Sequence, residues 1–287
     1  IPWSGELRVR DMRLLGQPVG EVRLQFADVA GRSVVRLDGE RLRGLAELGN
    51  GDTATEAVAR VALERLTLDD LPGAATPGVF RATNPWAATI DIEDLSIAGR
   101  NLGRWQGRIT GEAERLEIPT LRFVAGGRHG NGQLHCGIGA GYCRLELDWT
   151  GTAPDSLLDA EISEGRATLA WPVTVVGPAA APGRALAALE GHLSIRAANG
   201  QLRLLASPAA ANSLDQALFA PALALLAAGP PADASWKWNR LDLDAALQDG
   251  ALQFERYAFD GAQRRLQLAG RVMPAQGQAD LIAEWLP

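Results

Sequence analysis

Of the 28 basic residues in this 287-residue chain only one, Lys237, is a lysine. We read that bias as a mark of GC-rich coding and attach no function to it. The basic residues are scattered and the net charge is -6, which argues against a nucleic-acid partner. Long apolar runs are lacking too. The longest, Ala217 to Ala228, is twelve residues interrupted by Pro221, too short to span a bilayer. Helical periodicity is scarce, and no Gly-x-Ser-x-Gly elbow, His-Glu-x-x-His pair or P-loop occurs. The three histidines, His129, His135 and His192, have no recognisable partner. The sequence therefore reads as non-enzymatic, with no cofactor and no metal ligand set. At 47% hydrophobic and 22% charged residues it is neither disordered nor coiled coil. An opening Ile1-Pro2-Trp3 without methionine fits a processed or excised piece of a longer protein.

Cysteine is limited to Cys136 and Cys143, with six residues between them in a glycine-rich stretch. A disulfide at the neck of a hairpin, implying an oxidising compartment, is the leading reading. Free thiols, or a metal site with His129 and His135, are the alternatives. Gly137-Ile-Gly-Ala-Gly141 reads as the hairpin tip, because no helix follows to make a dinucleotide loop. The acid pairs Asp69-Asp70 and Glu93-Asp94 read as solvated charge, since neighbours in a strand point to opposite faces.

What is abundant is alternation. Glu21–Phe26, Arg144–Trp149, His192–Arg196 and Arg265–Ala269 each place apolar residues at every second position, as strands wet on one side do. Five segments share the spacing apolar-x-apolar-x-x-apolar-x-apolar: Leu7–Leu14, Val61–Leu68, Ile90–Ile97, Leu116–Phe123 and Leu252–Phe259. A doubled polar position would flip the second half of each strand unless a one-residue bulge restores the phase. Recurrent bulges predict a curved sheet. Asp11–Gly20 also aligns with Asp94–Gly103 at an offset of 83 residues, each reading as strand, tight glycine turn, strand. Helix is expected only in Asn212–Leu226, broken by Pro221 and stopped at Gly229-Pro-Pro231, and in Asp155–Ala160. Thr53–Glu56 has the form of a capping box. Eight tryptophans (Trp3, Trp86, Trp105, Trp149, Trp171, Trp236, Trp238 and Trp285) are spread along the chain. Core packing is their plainest role, with sugar stacking or a lipid-facing surface as alternatives.

The hairpin phrases Asp-h-x-h-x-Gly-x-x-h-Gly, the stretch Leu189–Leu202, and Leu247–Phe254 with Leu266–Val272 resemble the AsmA-like superfamily, its YhdP branch in particular and TamB more distantly. The segment Asn212–Leu226 departs from what that branch implies for its end. The resemblance implies a mainly β fold. It would be a long, curved, twisted antiparallel sheet of serial hairpins forming a U-shaped groove, with one or two short helices. The chain, 1-287, would be one continuous segment of that groove with a weak subdivision near 150–165. It further implies a periplasmic protein anchored in the inner membrane. Such a protein shields phospholipid acyl chains and conducts them towards the outer membrane, supporting the outer-membrane barrier. The partners expected are phospholipid, both membranes through regions outside this chain, and other envelope proteins. The alternating positions read as lining the groove are Leu7, Val9, Val22, Leu24, Phe26, Ile90, Ile92, Leu145, Leu147, Trp149, Leu193, Ile195, Leu252, Phe254, Leu266 and Leu268. The rival reading is a β-sheet scaffold that offers its edges during secretion or outer-membrane protein insertion. Frequent charges blunt such edges.

Overall fold

The computed structural model describes residues 4–14, 17–29, 32–50, 57–69, 82–97, 99–113, 115–137, 141–152, 158–172, 188–203, 235–249, 251–262, 264–273 and 278–287. These form sixteen strands and, among the described residues, no helix. The strands are β1 (Ser4–Leu14), β2 (Gln17–Val29), β3 (Arg32–Gly39), β4 (Leu42–Asn50), β5 (Ala57–Leu68), β6 (Ala82–Ile97), β7 (Arg100–Ala113) and β8 (Arg115–Ala125). They continue as β9 (Arg128–Gly137), β10 (Tyr142–Thr152), β11 (Leu158–Pro172), β12 (Glu190–Arg203), β13 (Ser235–Gln248), β14 (Ala251–Asp260), β15 (Arg265–Met273) and β16 (Gln278–Leu286). Their order in the sheet is their order in the chain, the arrangement serial hairpins produce. The candidate helix Asn212–Leu226 and the capping box Thr53–Glu56 lie outside the described residues. Leu158–Ala160, read as part of a short helix, instead opens β11.

Among the strand pairs whose registers are described, one is parallel: β5 and β6, with Val61 opposite Ile90 and Leu63 opposite Ile92. Alternation cannot reveal this, because period two is the same whichever way the next strand runs.

All five doubled positions interrupt the ladder. The register shifts between Val9 and Met12 in β1 and between Ile92 and Leu95 in β6. Glu64 is the extra residue where β5 meets Arg43 and Gly44 of β4. β8 gains one residue between Glu117 and Leu121, as does β14 between Phe254 and Ala258. Apolar residues on both sides of each bulge therefore share a face, as bulges require. At Glu93-Asp94 the expected alternation fails for this reason: both lie between the buried Ile92 and Leu95. Asp94 accepts from Asn101 Nδ2 at 2.8 Å. The 83-residue repeat is structural as well. Met12 pairs with Gly20 and Leu95 with Gly103, and both glycines sit at positive φ, 80° and 73°.

The chain divides into two compact units, Ile1–Ala125 with Asn131–Leu145 and Ala170–Ala187, and Gly126–Gly130 with Glu146–Leu169 and Ala188–Pro287. Each has its own buried cluster. Val19, Val22, Leu42, Leu63 and Ile92 belong to the first. Leu193, Leu243, Phe254, Tyr257 and Leu266 belong to the second.

Candidate apolar binding face

Cross-strand partners in antiparallel pairs share a face, so the registers trace which side chains line up. In the first unit one row runs Leu7, Leu24, Leu37, Gly44, Leu63, Ile92, Trp105, Phe123 across β1 to β8. The next runs Phe26, Val35, Ala46, Val61, Ile90, Gly107, Leu121 across β2 to β8. Neither row contains a charged side chain, and the indole N–H of Trp105 donates to Leu102 O at 2.7 Å. The opposite face carries the ions: Arg8 pairs with Glu21 at 3.2 Å, and Arg104 with Asp91 at 2.7 Å. Arg41 holds Asp69 in a two-point contact. The guanidinium hydrogen bonds keep Asp69 and Asp91 below the usual carboxylate range.

In the second unit the rows are Leu193, Ala245, Phe254, Gly270, Leu281 and Ala197, Leu241, Phe259, Leu266, Trp285. Tyr257 is the one residue of this face with an ionisable side chain among the strands so paired. Burial pushes its phenol well above the ordinary range, so it stays neutral. On the other face Arg196 donates to both Asp244 oxygens, at 2.8 and 3.0 Å, and lies 3.4 Å from the buried Asp242. Arg240 reaches Asp242 at 3.0 Å. A depression of about 320 Å³ on β14–β16 is lined by Glu255, Arg256, Arg265 and Glu284 among others. Its charged rim sets it apart from the apolar rows.

The structure places the lining candidates as follows. Leu7, Leu24 and Ile92 share one row, Phe26 and Ile90 the next, and Val9 faces Val22. Leu193 and Phe254 share a row, while Ile195, Leu252, Leu266 and Leu268 fall in the same buried cluster. Leu145, Leu147 and Trp149 are half-buried on β10, Trp149 packing against the second cluster. Exposure differs along the first face: Val22 is 0% exposed, Leu7 52%. Sequence reasoning missed Leu37, Leu63, Trp105, Phe123, Leu243 and Phe259 as members of these faces. Leu63, Phe123 and Phe259 lay within the bulged repeats it identified, so the signal was present.

Cys136 and Cys143 are joined as a disulfide, and Gly141 N–H donates to Gly137 O at 2.9 Å, closing the hairpin. The histidines lie apart, near Thr150, Glu117 and Glu255 respectively. Among the described residues no three His, Cys, Asp or Glu side chains gather to hold a metal. Most described tryptophans pack. Trp105 stacks on Phe123 at 5.0 Å, and Trp238 meets Phe259 edge-on at 5.7 Å. Trp86 lies over Gly111 and Trp149 over Gly165, where a Cβ would strike the indole. Comparison with family models, curated proteins and solved structures finds no match to this chain.

Proposed function

We propose that the chain is a periplasmic segment of an AsmA-like protein that shields phospholipid acyl chains and conducts them between inner and outer membranes. The observation that carries the reading is the pair of adjacent cross-strand rows on β1–β8 that continue strand after strand without a charged side chain, with Asp28 and Ser33 at the rim beyond Phe26 and Val35. Acyl chains need apolar area, at ~25 cal/mol per Å² removed from water, and no directional contacts. A face open at Leu7 and half-buried at Leu24 and Phe26 has area to offer. The Cys136–Cys143 bond supports an oxidising compartment, which the periplasm is. The proposal assigns no catalytic residue.

The test is native mass spectrometry with organic extraction of the chain purified from a bacterial envelope without detergent. Phospholipid in defined stoichiometry is expected. Leu24→Glu lowers it several-fold at unchanged circular dichroism, whereas Arg36→Glu on the opposite face does not. A lipid-free, monodisperse wild-type chain overturns the proposal.

A further inference from the structure

We infer that the second unit's apolar face carries one polar anchor, the indole N–H of Trp238, which takes the acyl carbonyl oxygen of a bound lipid. Trp238 is 2% exposed, and its Nε1 is buried with no hydrogen-bond partner. A buried donor without an acceptor is destabilising, and such groups are rare in folded proteins. The surroundings explain the deficit. Across β12 the indole faces Gly200, which has no side chain, and on β14 it meets the edge of Phe259. The spacing between buried residues widens on both strands here, while β12 and β13 stay in register. The ladder omits Asn199 and Asn239, Asn199 adopts φ 51°, and Trp238 and Leu241 are both buried although three residues apart. Local geometry thus turns the indole into an uncharged face and leaves its N–H unanswered.

The occupant follows from the chemistry. It must bring a hydrogen-bond acceptor attached to a long apolar body, without a charge that this face would leave unpaired. An acyl ester fits, and so does a protonated fatty acid. The inference rests on the lipid-shielding proposal and deepens it.

The test exposes the chain to vesicles of dioleoyl phosphatidylethanolamine and, separately, to vesicles of its di-O-alkyl ether analogue. Retained lipid is then quantified. A third arm adds oleic acid in competition with the diester. Wild-type chain retains the ester about tenfold over the ether, which corresponds to one hydrogen bond of about 1.4 kcal/mol. Trp238→Phe keeps an aromatic ring, removes the N–H and brings the ratio to about one. Displacement of the diester by oleic acid assigns the carbonyl to a free fatty acid, and its persistence assigns it to phospholipid. Equal wild-type retention of ester and ether overturns the inference and leaves the groove standing. So does an ester preference that survives Trp238→Phe. Retention of neither lipid overturns both. Trp238→Leu, followed by thermal unfolding, separates a packing role, which raises no ester preference.

Discussion

Phe254 and Tyr257 lie three residues apart in one strand, yet both are buried and their ring centroids are 4.9 Å apart. A regular strand would send them to opposite faces. Glu255 is the extra residue that prevents this: Asp244 pairs with Arg256 and Ala245 with Phe254, so the partner strand advances one residue while β14 advances two.

Deleting Glu255 is expected to move one half of β14 off its face, either Leu252 and Phe254 or Tyr257 and Phe259. All four are buried, none more than 3% exposed. The loss is on the order of 3 kcal/mol or more, because two large apolar side chains are turned outward at once. Glu255→Ala keeps the count and costs about 0.5 kcal/mol at an exposed position. Urea unfolding of both variants checks the contrast. Equal stabilities would mean that the phase is set elsewhere.

The same logic shows what was readable in advance and what was not. Bulges leave a trace in sequence, a doubled polar step, and each of the five segments so read carries a register shift. Trp236-Lys-Trp238-Asn-Arg-Leu241-Asp-Leu243 has the same spacing, yet β12 and β13 stay in register across it, so the spacing alone does not prove a bulge. The parallel pairing of β5 with β6 left no trace, since strand direction is decided by the connection and not by side-chain alternation. Which glycine faces which indole was equally hidden. The Trp149–Gly165 relationship depends on cross-strand register, which hairpin geometry sets over residues distant in sequence. The apolar faces were legible strand by strand, but the rows that join them, such as Leu37 to Gly44 to Leu63, needed the pairing itself.

Gly165→Ala is expected to destabilise by about 1–3 kcal/mol, because its new methyl would occupy the space of the Trp149 indole. Gly165 is not at positive φ, so the cost is collision and not backbone strain. Trp149→Ala alone removes indole packing against the second cluster. The double variant should be more stable than the sum of the two losses predicts, by about 1 kcal/mol or more. A urea-denaturation cycle on the three variants measures the coupling. Additive losses would show that the glycine serves another purpose.

Acid should loosen the second unit through Asp244. Burial works to raise its carboxyl, but the hydrogen bonds from Arg196 and Ser194 and the nearby positive charge outweigh it and hold the group below the ordinary value. The two Arg196 contacts at 2.8 and 3.0 Å bear directly on β12 and β13, which they bridge. A carboxyl depressed in the folded state contributes stability that is fully present above its unfolded pKa of about 3.9. That contribution is lost as pH falls through the lower, folded value. Thermal unfolding followed from pH 6 down to pH 2 should therefore show a plateau above about pH 5 and a decline beginning near pH 4. Asp244→Asn should start from a lower plateau, because Arg196 then loses its charged two-point partner and keeps the 3.4 Å contact with Asp242 and its bonds to the Leu243 and Ile195 carbonyls. It should also decline less steeply below pH 4, since the titrating group is gone. Parallel declines in the two proteins would place the acid sensitivity in other carboxylates, Asp69 and Asp91 first among them, which their own guanidinium partners hold low in the same way.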